Sequence, residues 1–149
     1  MYRIRSLFTP LSFMVLAGCS CPINPATEAG DPKAVELFES HADALLRGDW
    51  RAAHAGLHPD LKTLLPLNRF TEFHARRRKS DNSPRAVLVA GSERSGDDVL
   101  VSFDALFAPT GGGEPVSVPP RRRVRLRRSG ETWALMTHDV FAVETRHEF

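Results

Sequence analysis

Apolar positions change period near Pro84. Before it, Val35, Leu37, Phe38, Ala42, Leu45 and Leu46 recur three and four residues apart, the one-face pattern of an amphipathic helix. Asp31-Pro32 supplies an N-cap and a proline at the first helical position, and Gly48 ends the run. Asp49 is placed to cap a second helix that starts at Trp50, passes through Ala53 to about Leu57, and is stopped by Pro59. A third helical piece carries Leu64, Leu65, Leu67, Phe70 and Phe73 and ends in Arg76-Arg77-Arg78-Lys79. Cations there complement the partial negative charge of a helix C-terminus.

After Pro84 the alternation has period two. It predicts strands over 86–93, 99–107, 116–128 and 132–145, with an interruption at Pro119-Pro120. Ser95-Gly96-Asp97 and Ser129-Gly130 read as tight turns, and 110–114 as a glycine-rich loop. Helices followed by an antiparallel meander predict an α+β fold, with N-terminal helices packed on a four-stranded antiparallel sheet. Simple hairpins would set Trp133 opposite Leu126, Leu135 opposite Val124 and Thr137 opposite Arg122. On the glycine-loop side, Phe107 would face Val116 and Val101 would face Arg122. One sheet face then collects Val99, Val101, Phe103, Phe107, Val116, Val118, Val124, Leu126, Trp133, Leu135, Phe141 and Val143, which predicts the core face. The other collects Arg121, Arg123, Arg125 and Arg127 with Thr132, Met136 and His138. A slip of one residue would exchange the faces, so the apolar set itself argues for this parity.

The first residues set a compartment. Arg3 and Arg5 precede a mostly apolar run, Leu7 to Ala17, about half of what spans roughly 30 Å of hydrocarbon. This is the pattern of a secretory signal. The run ends Leu16-Ala17-Gly18-Cys19, which resembles the lipobox of bacterial lipoproteins. That resemblance implies a diacylglycerol on the Cys19 thiol, cleavage between Gly18 and Cys19, and acylation of the freed amine in many bacteria. Residues 1–18 are then the lipoprotein signal peptide. Residues 19–31, with Pro22, Pro25 and Gly30, are a flexible tether. Residues from Ser20 to Asp31 could reach about 40 Å from the membrane surface. Residues 32–145 are the domain and 146–149 a tail. The implied location is exported and membrane-anchored, in the outer membrane facing the periplasm if the host is Gram-negative, since residue 20 is Ser and not Asp. Cys21 is the only other cysteine, so with Cys19 lipidated no intrachain disulfide is available.

Composition adds two bounds. Of the 149 residues, 42% are hydrophobic and 26% charged, values of a globular chain and not of a disordered one. Removing Arg3 and Arg5 with the signal leaves 18 basic against 18 acidic side chains, so the net charge falls from +2 to zero. Nucleic acid is a poor fit to an exported, charge-balanced chain.

The order of elements resembles the nuclear transport factor 2-like superfamily, the cystatin-like cone. The resemblance rests on the long first helix, Arg47-Gly48-Asp49-Trp50 with Ala52 and Ala53, Phe70 with Phe73, and the closing Ser129-Gly130-Glu131-Thr132-Trp133-Ala134-Leu135. It covers roughly residues 32–145. It implies helices wrapped over a curved sheet with a pocket between them, in a superfamily of small-molecule isomerases, dehydratases and non-catalytic accessory domains.

Candidate chemistry is sparse. Arg122, Thr137 and Asp139 are the polar exceptions on the predicted core face. They read either as the polar end of a ligand pocket, with Asp139 as a base and Arg122 as an anion clamp, or as an ion pair at the sheet end. Buried charges must be paired in either case. Six arginines in residues 121–128 read as a basic stripe for an anionic partner or as a solvated face that discourages edge pairing. His54 and His58 lie four apart but straddle a helix break before Pro59, so no metal site is expected. The only tyrosine, Tyr2, lies in the signal, which excludes a tyrosine oxyanion donor of the ketosteroid isomerase type. No phosphate loop, nucleotide fingerprint or Gly-x-Ser-x-Gly is present, and no cofactor is implied. The expectation is a membrane-tethered, non-catalytic envelope domain that binds a small amphiphile or an envelope protein. The alternative is a hydrolase, dehydratase or isomerase using Asp139 with Arg122.

Overall fold

The computed structural model describes residues 28–79, 83–109 and 112–142. The signal, Cys19, Cys21, Val143 and the tail lie outside the described residues.

Four helices come first. Helix α1, Pro32–Arg47, begins where Asp31 accepts a hydrogen bond from the Lys33 amide at 2.9 Å and ends at Gly48, whose φ of 80° is the left-handed cap expected of glycine. Helix α2, Trp50–Ala55, is capped by Asp49, which accepts from the Ala52 amide at 3.0 Å. Pro59 both ends the preceding turn and starts α3, Pro59–Leu64, so the third predicted helical piece is two helices. Pro66 separates α3 from α4, Leu67–Arg78, because a proline denies the chain an amide and pushes the residue before it out of helical geometry. His58 caps α3 through its ring Nδ1, which accepts from the Asp60 amide at 3.3 Å.

Five strands follow: β1 Ala86–Ser95, β2 Asp98–Phe107, β3 Val116–Ser117, β4 Arg122–Ser129 and β5 Thr132–Leu135. They make one antiparallel sheet in the order β1-β2-β4-β5, with β3 pairing β2 beyond β4. The molecule is therefore α+β, with helices followed by an open antiparallel sheet. Both ends of the sheet path are partly covered. Residues 28–30, placed in the tether by sequence, lie antiparallel along β1: the Gly30 amide donates to Ser92 at 3.3 Å and the Arg94 amide to Glu28 at 2.8 Å. Along β5, the Leu135 amide donates to Gly56 and the His58 amide to Leu135, both at 2.9 Å.

Two registers differ from expectation by two residues, and the shared reason is turn placement. Gly130-Glu131 forms the β4–β5 turn, so Ser129 pairs Thr132, Leu126 pairs Leu135, and Trp133 faces Arg128 and not Leu126. On the other side Phe107 pairs Val116 as expected, but Val101 pairs Val124 and Phe103 pairs Arg122. The extra residues are taken up at Pro119-Pro120, neither of which has an amide to give a ladder. A two-residue shift preserves side-chain parity, so the face assignment survives where the pairings do not. The fourth predicted strand is β5, which ends at Leu135, ten residues short of its predicted end, and Thr137, His138 and Asp139 sit on an irregular segment.

Val99, Val101, Phe103, Val124, Leu126, Trp133, Leu135 and Phe141 are buried as predicted, against Ala34, Phe38, Ala42, Leu45, Leu57 and Phe70 of the helical layer. The Phe38 and Phe103 rings meet at 4.7 Å between centroids, which joins α1 to the middle of β2. Val116 and Val118 are exceptions, 51% and 42% exposed, on the two-residue β3 and just after it.

Candidate functional site

A cavity of about 270 Å³ opens where α1, α4, the entry to β1 and the segment after β5 converge. At roughly 30 Å³ per water this is space for about nine waters, enough for a small organic molecule. Leu45 and Leu46 from the last turn of α1, Trp50 from the start of α2 and Phe141 make its apolar wall. Arg77 and Arg78 from the last turn of α4, with Arg85 before β1, make its basic side. The cations that sequence reading assigned to a helix C-terminus therefore also border a cavity. No carboxylate lines it among the described residues.

The basic side is arranged residue by residue. Arg77 pairs with Asp139 and closes that carboxylate off, and the Phe141 amide also donates to Asp139 at 3.2 Å. Arg78 donates from Nη1 to the Arg47 carbonyl at 2.9 Å, and its guanidinium stands 6.0 Å from the Trp50 ring centre. It lies against Gly48, where a Cβ would overlap its Nη1, so the glycine of the helix cap also makes room for the guanidinium. The Arg85 amide donates to Leu106 at 2.7 Å, which fixes the strand entry, while its side chain has no ion pair among the described residues. His74 stacks on Trp50 at 5.9 Å and donates from Nε2 to the His138 carbonyl at 3.0 Å. Burial pushes His74 below the ordinary histidine value, so at neutral pH it brings no charge to the cavity.

The predicted polar trio does not assemble. Arg122 is buried at the sheet end, donates from Nη1 to the Val118 carbonyl at 3.4 Å, and lies 5.5 Å from the Phe107 ring centre. Its Nε is buried without a hydrogen-bond partner, and burial holds it below the usual arginine value. The ion pair expected between Arg122 and Asp139 is replaced by Arg77–Asp139, because the chain leaves the sheet after Leu135 and turns Asp139 toward α4. Thr137 sits on the same irregular segment, half-buried. Asp139 is not among the described residues that line the cavity, so the route to catalysis through Asp139 and Arg122 lacks an open chamber. His138, expected on the outer face, instead packs edge-on against Phe73 of α4 at 5.3 Å.

The basic stripe is exposed as predicted but paired along its length. Arg121 grips Asp104 with two hydrogen bonds at 3.1 and 2.9 Å, and Arg127 grips Asp98 with two at 2.8 and 3.0 Å. Arg125 lies 3.6 Å from Asp98, and Arg123 3.5 Å from Glu93. Arg128 reaches Asp31 at 3.5 Å and lies 5.2 Å from the Trp133 ring centre. Sequence reading missed these partners because Asp98 and Asp104 come from the neighbouring strand, and only register brings them alongside. His54 donates from Nε2 to the Leu65 carbonyl at 2.9 Å, while His58 caps α3. Among the described residues no group of three metal-ligating side chains converges. No helix among them is long and apolar enough to cross a membrane.

No family description matches the chain, and no curated protein matches it. Among solved structures the chain is similar to a SEC-C motif containing protein from Rhodopseudomonas palustris, at 24% identity and a TM-score of 0.49. The match covers 66% of this chain and 71% of that one.

Proposed function

We propose that this chain is a lipid-anchored bacterial envelope protein whose single domain, a cystatin-like cone of the nuclear transport factor 2-like kind, binds a small amphiphile without transforming it. Cys19 carries the acyl chains and residues from 20 onward link them to the domain. In a Gram-negative host the protein faces the periplasm from the outer membrane. The lipobox-like Leu16-Ala17-Gly18-Cys19 supports the anchor. The observation that carries the binding reading is the cavity beside α4. It has one apolar wall and one basic wall. Small-ligand sites combine those features: apolar walls for affinity and a few placed polar groups for orientation.

Two measurements test the reading. Mass spectrometry of the protein from its host membranes should find a chain that begins at residue 19 with acyl mass on Cys19. Cys19→Ser should block that cleavage and deplete the membrane fraction, and an unchanged fraction would remove the anchor. For the cavity, the uncharged fluorophore N-phenylnaphthylamine should brighten on binding the full chain. Leu46→Arg should abolish the signal, and fluorescence indifferent to that substitution would remove the cavity as the site.

A further inference from the structure

We infer that the cavity selects a small anionic amphiphile, with its carboxylate or phosphate seated between Arg78 and Arg85 and its apolar body against Trp50, Leu45, Leu46 and Phe141. The inference rests on the binding reading above and adds the charge and the pose of the ligand.

Three observations carry it. The first is the charge balance of the lining. Three guanidiniums border one chamber with no described carboxylate among the lining residues. Asp139 neutralises Arg77 from outside the lining, which leaves Arg78 and Arg85 as the cations whose field an anion would satisfy. On the outer face of the sheet, arginines meet carboxylates: Asp104, Asp98, Glu93 and Asp31 serve Arg121, Arg125, Arg127, Arg123 and Arg128. Among the described residues, neither Arg78 nor Arg85 has an acidic partner at the mouth of this cavity.

The second is that Arg78 is held in place. One of its five N–H donors goes to the Arg47 carbonyl, the Trp50 ring lies beneath it, and Gly48 supplies the space that any Cβ would remove. A guanidinium fixed in this way loses little further freedom on binding, and its planar fork matches the two oxygens of a carboxylate or phosphate. The third is the arrangement of the apolar wall. Trp50 stands beneath the guanidinium of Arg78, and Leu45, Leu46 and Phe141 continue the wall within the same cavity. A ligand with charge at one end and hydrocarbon at the other satisfies both sides at once. A bare anion leaves the apolar wall wet, and a neutral lipid leaves the arginines unpaired.

Calorimetric titration of the full chain tests this with four probes that share one chain length: octanoate, octyl phosphate, octanol and octylamine, with inorganic phosphate as a tailless control. Octanoate or octyl phosphate should bind at least about tenfold tighter than octanol and octylamine. The tighter of the two anions names the natural head group. Arg78→Gln and Arg85→Gln should each weaken the anions about tenfold and leave octanol unchanged, while Arg125→Gln on the outer face should change nothing. Thermal unfolding of each variant confirms that it is folded. Octanol or octylamine binding as tightly as octanoate overturns the anion selection but leaves a cavity that binds amphiphiles. Inorganic phosphate binding as tightly as octyl phosphate overturns the amphiphile. Failure of all five probes removes the binding reading itself.

Discussion

His41 shows how burial sets chemistry at a single residue. It sits in the middle of α1 and donates from Nδ1 to the Ala53 carbonyl at 2.8 Å, while Nε2 is buried without a partner. Loss of water pushes its pKa down to about 4, with the nearby His74 acting in the same direction. The unfolded chain therefore binds this proton more readily than the folded one. Stability from His41 is complete above the unfolded value of 6.5 and is lost as pH falls toward 4. The full effect is about 3 kcal/mol, from roughly 1.4 kcal/mol per pKa unit. Urea unfolding at pH 7 and pH 4.5 should show the drop, and His41→Gln should flatten it; a slope untouched by that change would place the acid sensitivity elsewhere. Trp133 is a second residue with two attachments. Its ring is buried at 7% exposure and its Nε1 donates to Asp31 at 3.0 Å, the same carboxylate that caps α1. Trp133→Phe should cost about 1 kcal/mol for the hydrogen bond, and Trp133→Ala about 3–5 kcal/mol for the ring. Denaturant midpoints separate the two, and a loss under about 1 kcal/mol for the alanine variant would contradict the burial.

At the scale of elements, caps and turns decide more than propensity. Gly48 ends α1 in a left-handed conformation and gives Arg78 its place. Gly48→Ala should therefore do two things: destabilise by about 1 kcal/mol through the strained cap, and weaken octanoate binding by moving Arg78. A stability loss with unchanged binding would mean that Arg78 does not hold the ligand. The helix starts at Asp31-Pro32 and Asp49-Trp50 were legible because capping is local: an acidic side chain and the amides it accepts lie within three residues. The apolar face of β2 and β4 was legible because strand parity is fixed by alternation alone. Pairings were not, since a turn centred on Gly130-Glu131 and one centred on Ser129-Gly130 look alike in sequence yet differ by two residues in register. The early end of β5 was not legible either, because Phe141 keeps its alternation on a chain that has left the sheet. The cavity depended on both. Its cations come from a helix terminus and a strand entry that only tertiary packing brings together, so local pattern carries no trace of it.

Taken as a whole, the molecule distributes its charge unevenly, with the arginines of the outer sheet face paired to carboxylates and no carboxylate among the described residues that line the cavity. Arg121, Arg123, Arg125 and Arg127 read from sequence either as a solvated face or as a surface for an anionic partner such as lipid, the latter worth up to about 1 kcal/mol per cation near a membrane. That attraction requires unneutralised charge, and Asp104, Glu93 and Asp98 supply three carboxylates to the four arginines. The two bidentate pairs are the firm ones, because parallel N–H···O bonds fix both partners. Arg127 and Arg125 hold Asp98 below the usual carboxylate range, so the pairing persists well into mild acid. Paired in this way, the stripe adds little to the anchor we propose at Cys19. Residues 19–149 carrying Cys19→Ser should sediment equally poorly with phosphatidylserine-containing and pure phosphatidylcholine vesicles. Asp98→Asn with Asp104→Asn should release the stripe and produce binding to the anionic vesicles alone, lost again at high salt as the charges are screened. Strong binding by the single Cys19→Ser chain would show that the carboxylates do not neutralise the face, and would return the stripe to the role of a membrane-contacting surface.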